Sequence, residues 1–246
     1  MSESPADSSR EKQKVVIEVD GHRLEVPPGV SVLQACLDND IMVPNLCWMK
    51  SMSSPPASCR LCFVQVQGRK EPQTSCTLEV EENMVVRTDT EEVRELQRTA
   101  FELLMSVHDL IGKDCPANRQ CELQRIARFL KVSLKPKNLP VLVSREELET
   151  SHPCLIYDPN RCVLCGRCVH VCAEQNETPV LSFAFRGITT RISFFGAEEL
   201  EADRCLSCLA CVQACPVAAL YLKEGWNGHG SLRPQESREV LRENCR

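Results

Sequence analysis

The sequence predicts an α+β chain of three consecutive blocks: a small strand–helix–strand domain, a pair of amphipathic helices, and a cysteine-dense C-terminal domain. Three observations carry this. VVIEVDGHRLEVP (15–27) alternates apolar and polar side chains about Asp20-Gly21, a pair that supplies the positive φ angles of a tight hairpin turn. From residue 90 the apolar period changes to steps of three and four, the signature of helices with one buried face. Residues 162–172 and 205–216 then repeat one cysteine spacing.

Composition narrows the function. Of 246 residues 17 are cysteine, while only 4% are aromatic, so the thiols must act either as a disulfide framework or as a metal framework. The start, MSESPADSSREKQK, is polar and charged rather than signal-like, and the cysteine count is odd. Both favour reduced, metal-bound thiols, with the cytoplasm as the expected compartment. No run of about 18 apolar residues occurs, so no direct membrane span is expected. A net charge of −5, a pI near 5.7 and scattered Lys and Arg argue against a nucleic-acid partner.

Residues 1–14 read as a disordered polar tail. The domain over 15–90 begins with the hairpin. SVLQACLDND follows, with Ser31 as N-cap and helical spacing at Val32, Cys36 and Leu37, and Pro44 closes that element. Cys36 lies on the apolar face and reads as a buried thiol. FVQVQG (63–68) and MVVRT (84–88) read as strands. The helical segment is assigned to 91–150. Val93, Leu96, Ala100, Phe101, Leu104 and Val107 form its first stripe, and Leu123, Ile126, Ala127 and Leu130 its second, both as core-packing faces. A connector with Pro136, Pro140 and Pro153 leads into the cysteine-dense domain at 151–224. Residues 225–246 read as a polar C-terminal arm, with a free Cys245.

The repeat is the strongest signal. Cys162, Cys165, Cys168 and Cys172 make C-x2-C-x2-C-x3-C, and Cys205, Cys208, Cys211 and Cys215 repeat it, with Pro216 after the last. This is the bacterial-type dicluster ferredoxin run. Two-residue gaps let three thiolates take three corners of one cubane, and the fourth thiolate faces the other cubane. One [4Fe–4S] cluster is thus assigned to Cys162, Cys165, Cys168 and Cys215, and a second to Cys172, Cys205, Cys208 and Cys211. Structural zinc pairs two C-x2-C knuckles and gives no reason for a third and fourth cysteine at these steps, twice. Ala173 stands where the motif has proline, and residues 173–204 exceed a minimal ferredoxin linker. SFAFRGITTRISFF within them reads as a short hairpin.

The N-terminal domain carries Cys47, Cys59, Cys62 and Cys76 as C-x11-C-x2-C-x13-C. A loop offering three ligands, closed by a later fourth, follows the logic of the plant-type [2Fe–2S] pattern, although the first gap is longer. After a hairpin and helix this reads as a β-grasp ferredoxin domain with one [2Fe–2S] cluster. Ala57, Ser58 and Ser75 are small neighbours that let N–H groups approach sulfur.

A β-grasp domain, a His/Cys helical segment ending in Cys121-Glu122-Leu123-Gln124, and a dicluster ferredoxin domain occur in that order. In this the chain resembles the diaphorase iron–sulfur subunit of NAD-linked hydrogenases. Related modules open the large iron–sulfur subunit of complex I, the iron-only hydrogenases and NAD-linked formate dehydrogenases. The resemblance covers about residues 15–224. It implies a further [4Fe–4S] site on H-x3-C-x2-C-x5-C, where His108, Cys115 and Cys121 match the first, third and fourth ligands and Gly112 stands at the second. Three arrangements fit those residues: an empty site; a cluster whose fourth ligand is Asp114, Asp109, Cys154 or a small molecule; or a different metal such as zinc.

No G-x-G-x-x-G before a helix and no P-loop is present, and no catalytic residue is assigned. The resemblance implies an accessory subunit of a multi-subunit NAD(P)-linked oxidoreductase. It would relay single electrons between a flavin/NAD(P)H-binding diaphorase subunit and a hydrogenase or formate dehydrogenase catalytic subunit. Two other readings are an iron–sulfur subunit like that of succinate dehydrogenase or fumarate reductase, disfavoured by the x11 gap and by His108, Cys115 and Cys121, and a zinc-stabilised interaction scaffold.

Overall fold

The structure, a computed structural model, describes residues 14–143, 145–196, 205 and 207–223. The N-terminal tail up to residue 13, the C-terminal arm and Cys245 lie outside the described residues. The chain forms two compact units, one of residues up to Val43 with Cys62–Arg94, the other of Pro44–Leu61 with the residues from Glu95 onward.

In the first unit, β1 (Val15–Val19) and β2 (His22–Val26) pair antiparallel from Val15↔Val26 to Val19↔His22. Asp20 at φ 50° and Gly21 at φ 85° make the turn between them. The helix α1 (Val32–Leu37) starts at Ser31, whose hydroxyl accepts from the Gln34 N–H, and buries Val32, Leu33, Ala35 and Cys36. Strands β3 (Phe63–Val66), β4 (Gln73–Thr74) and β5 (Val85–Arg87) complete a mixed sheet in the order β2-β1-β5-β3-β4, with β1 and β5 parallel. Ile17, Val19, Val26, Val64, Val66 and Val86 are its buried side chains. This is the expected β-grasp arrangement. Asp20 also ties the hairpin to the end of β5, accepting from the Thr88 N–H and hydroxyl at 2.8 and 2.6 Å. Burial pushes the Cys36 thiol up to about 12, as befits a packing residue.

The helix α2 (Glu91–Ser106) begins where the Thr90 hydroxyl accepts from Val93 N–H, with Glu91 and Glu92 favoured in its first turn by the helix dipole. In the second unit its buried Phe101 and Met105 join Leu123, Ile126 and Leu130 of α3 (Glu122–Leu130), which ends at Lys131 in the left-handed conformation. Complete burial of each such side chain is worth about 1.5–3 kcal/mol. Both helices appear where the stripes place them. The C-terminal part holds β6 (Leu155–Tyr157) antiparallel to β9 (Leu220–Leu222), bringing its two ends together. Between them come α4 (Arg167–Gln175), the hairpin β7 (Leu181–Ala184) and β8 (Arg191–Phe194), and α5 (Ala210–Ala214). Among the described residues no helix is long and apolar enough to cross a membrane.

Candidate metal centres

The two cysteine runs fold alike. Cys165 is followed by Gly166 at φ 76° and Cys208 by Leu209 at φ 49°, and each left-handed residue immediately precedes a helix. Such turns aim backbone N–H groups inward: Leu164 N–H donates to Cys162 Sγ at 3.4 Å. In the second run Ala219 N–H donates to Cys215 Sγ at 3.1 Å. A Cβ at Gly166 would stand 3.4 Å from the Phe183 ring in a conformation that L side chains resist. Gly166→Ala is therefore expected to cost about 1–3 kcal/mol, read from the urea midpoint.

The helix α4 carries Cys168 and Cys172 one turn apart. Cys211 lies on α5 and Cys215 caps its end. Cys215 comes within electrostatic reach of Cys162, Cys165 and Cys168, and Cys172, Cys205 and Cys208 come within reach of Cys211. Cys215 thus lies near the first three cysteines of the other run, and Cys172 near Cys211, which is also within reach of Cys168; among the described residues no three of these side chains close on a single metal ion. Cys172, Cys205, Cys208 and Cys211 line one cavity with Leu155, Val180 and Leu181. Burial pushes the Cys162 thiol up to about 11, Cys165 and Cys211 to about 12, and Cys168 further still, so these thiols alone would be neutral. Soft sulfur donors in two apolar tetrads suit iron–sulfur clusters, whose positive irons supply the charge that deprotonates them. The Tyr157 hydroxyl hydrogen-bonds Cys162, and Asn176 donates to Cys172 Sγ at 3.9 Å.

The N-terminal four divide between the units. In the second, Cys47 and Cys59 share a hydrogen bond with their sulfurs 3.4 Å apart. That bond, with hydrogen bonds from Ser58, brings the buried Cys47 thiol down to about 6. In the first, Cys62 and Cys76 flank β3 and β4, and Ser75 donates from its N–H and hydroxyl to the Cys62 carbonyl at 2.9 and 2.7 Å. The loop bearing Cys47 and Cys59 is tied to α4: Arg167 donates to the Trp48 carbonyl at 3.0 Å. Ser51 Oγ donates to Glu174 at 3.0 Å and lies 2.9 Å from His170 Nε2.

At the third candidate site, buried His108 donates from Nδ1 to the Arg161 carbonyl at 2.9 Å, which leaves Nε2 as the acceptor nitrogen. Cys121 caps α3 within electrostatic reach of Cys115. Gly112 sits at φ 65° with no side chain, and a Cβ there would meet nothing within 4 Å. These residues do not complete a four-ligand set, so no step is assigned to a cluster there.

Sequence reasoning missed His152. It is fully buried, and its Nδ1 accepts from Cys154 and Leu155 N–H groups at 3.2 Å each. Burial, then the Lys223 charge, lowers its pKa. The folded chain thus holds it neutral, while the unfolded chain takes a proton near pH 6.5. Its contribution to stability is full above about pH 6.5 and is lost as pH falls below that value. His152→Asn, which keeps an acceptor but cannot titrate, is expected to narrow the gap between urea midpoints measured at about pH 7.5 and 5.5.

Comparison with known proteins matches both cysteine-bearing stretches to iron–sulfur domains. Residues 12–91 match the 2Fe-2S iron-sulfur cluster binding domain, and residues 161–219 match the 4Fe-4S dicluster domain. The chain is an iron–sulfur protein of ferredoxin-like modules. It is homologous to subunits of NAD(P)-linked hydrogenases and related complexes, so the resemblance drawn from the cysteine spacings is borne out. It is 33% identical over 211 residues to the NADP-reducing hydrogenase subunit HndD of Solidesulfovibrio fructosivorans, covering 84% of this chain and 36% of that one. It is 30% identical over 209 residues to the alpha subunit of the NADPH-Fe(3+) oxidoreductase of Geobacter sulfurreducens, covering 85% and 24%. A chain in the crystal structure of NAD+-reducing [NiFe]-hydrogenase in the H2-reduced state superposes with a TM-score of 0.74 at 29% identity, over 87% of this chain and 89% of that one. The chain spans about a quarter to a third of the length of these curated relatives.

Proposed function

We propose that this chain is the electron-relay subunit of a cytoplasmic, multi-subunit NAD(P)-linked oxidoreductase. It passes single electrons between a flavin/NAD(P)H-binding diaphorase subunit and a hydrogenase or formate dehydrogenase catalytic subunit. The observation that carries the reading is the approach of Cys215 to Cys162, Cys165 and Cys168, together with the one cavity that Cys172, Cys205, Cys208 and Cys211 line. Cys162, Cys165, Cys168 and Cys215 hold one [4Fe–4S] cluster, and Cys172, Cys205, Cys208 and Cys211 hold the other. Cys47, Cys59, Cys62 and Cys76 hold a [2Fe–2S] cluster. Such clusters, when bound, supply one-electron redox chemistry over a wide range of potentials.

The chain's own residues hold, insulate and tune. Leu155, Val180 and Leu181 give the cavity of the second tetrad an apolar wall. Arg167, His170 and Glu174 keep the loop bearing Cys47 and Cys59 against the helix that carries Cys168 and Cys172. The Tyr157 hydroxyl steadies negative charge on Cys162, which favours the reduced, more negative state. Tyr157→Phe is therefore expected to lower the midpoint potential of the centre on Cys162, read by potentiometric electron paramagnetic resonance. In the purified native assembly, NADH or NADPH is expected to bleach this chain's visible absorbance before the terminal acceptor is reduced. Full-rate acceptor reduction with that absorbance still oxidised would contradict the relay.

A further inference from the structure

Four large apolar side chains stand exposed on the hairpin β7–β8 and its flanks: Phe183 at 45%, Phe185 at 66%, Ile188 at 86% and Phe195 at 52%. Single exposed apolar residues need no explanation, but Phe185 and Ile188 stand three residues apart on the hairpin loop and expose apolar area of the kind that other proteins cover, while the register sets Phe183 and Phe195 on opposite faces of the hairpin. The hairpin lies in the stretch by which this domain exceeds a minimal dicluster ferredoxin. It also adjoins the electron path, because the Phe183 ring rests against Gly166, between Cys165 and Cys168.

Beside the patch opens a cavity of about 600 Å³, lined by Glu146, Glu147 and Glu149 together with Phe185 and Arg191. Arg191 is engaged: its guanidinium pairs with Glu146 at 2.8 Å and stacks over the Phe185 ring at 4.7 Å. Hydrogen bonds from Ser151, the Arg191 charge and the Thr150 N–H hold Glu149 below the usual carboxylate range. Glu147 is exposed. Three carboxylates against one guanidinium leave the cavity negative.

We propose that the β7–β8 hairpin and this acidic cavity form the docking surface for a companion protein subunit. That subunit presents a Lys or Arg side chain flanked by apolar residues. The base enters among Glu146, Glu147 and Glu149, and the apolar flank covers Phe185 and Ile188. The charge selects this occupant. An anionic membrane or a nucleic acid would meet the carboxylates with like charge, and a second copy of this chain would bring the same acidic patch. An apolar centre beside a charged group that fixes register is the usual anatomy of a protein–protein interface. Docking here would set the partner's redox centre beside the Cys162–Cys168 loop. The identity of the partner as a redox subunit rests on the relay reading; the surface itself does not.

The test uses the full chain isolated in its native assembly, with companion chains identified by mass spectrometry. Amide hydrogen exchange over 146–149 and 183–195 is expected to slow in the assembly relative to the isolated chain. Phe185→Asp with Ile188→Asp, and separately Glu147→Lys with Glu149→Lys, should each weaken retention of the same one companion about tenfold or more. Arg128→Glu, on the basic cavity beside α3, should leave that companion in place. Unaltered visible absorbance in the variants shows that the fold and metal centres survive. Equal exchange in both states, undiminished retention in both double variants, or a second copy of this chain seated on the patch would overturn the proposal. A colourless chain that still bound its companion here would defeat the relay reading and leave this surface standing.

Discussion

On the proposed relay, Cys211→Ala is expected to remove about four irons per chain and to slow reduction of the terminal acceptor by orders of magnitude, while flavin on the proposed diaphorase partner is still reduced at its normal rate. Cys211 is partly buried and lies within electrostatic reach of Cys172, Cys205 and Cys208. With its thiolate gone, three ligands remain around an apolar cavity that offers Asn176 in place of a fourth sulfur. The second tetrad, through Cys211, shares α5 with Cys215 of the first, so partial disturbance of the other centre is expected, but not its loss. Iron content and acceptor kinetics measured on the same preparation check the prediction. Full iron with normal acceptor reduction would take Cys211 out of the ligand set.

Asp158→Ala is expected to destabilise the second unit by about 3–5 kcal/mol, read as a fall in the urea midpoint. Arg161 is 3% exposed at its side chain, and Asp158 Oδ2 receives its Nε at 2.6 Å. The cation also lies 5.1 Å over the Tyr221 ring, and its carbonyl receives the His108 Nδ1 bond. Removal of the carboxylate leaves a buried cation with no compensating charge and strips the N-cap of the turn that leads into Cys162, where Asp158 accepts from Asn160 N–H at 3.0 Å. The pair Arg125–Glu122, with side chains 50% and 29% exposed, is screened by water, and Glu122→Ala should cost under about 1 kcal/mol. Replacement of both Asp158 and Arg161 by apolar residues of similar volume should recover much of the loss, because the penalty comes from the uncompensated charge.

Local chemistry made much of the architecture legible. Asp20-Gly21 marks the first hairpin, Ser31 the cap of α1, and the three-and-four stripes place α2 and α3 closely. The second hairpin falls on the stretch that begins at Ser182, its first strand starting one residue earlier at Leu181. What sequence could not show depends on partners distant along the chain. The parallel pairing of β1 with β5, the two-residue β4 and the pairing of Leu155–Tyr157 with Leu220–Leu222 have no local signal, because each strand is short and finds its neighbour across many residues. The dicluster repeat itself was legible in the three-residue cysteine steps, and residues 161–219 match the 4Fe-4S dicluster domain; the crossed sharing of thiols between cubanes is part of the proposal. The buried Asp158–Arg161 pair, the two N–H bonds to His152 and the tether of His108 to the Arg161 carbonyl were invisible, because Asp, Arg and His are ordinarily surface residues. The grouping of residues 44–61 with the C-terminal unit, through Trp48 and Ser51, was equally silent.

The most direct measurement is metal analysis with electron paramagnetic resonance on the full chain purified without air. Thiolate tetrads gripping iron and sulfide predict about ten irons per chain, two in a [2Fe–2S] signal and eight in the coupled signals of a reduced dicluster domain. A folded, colourless preparation carrying zinc in their place, with no paramagnetic signal on reduction, would contradict the account.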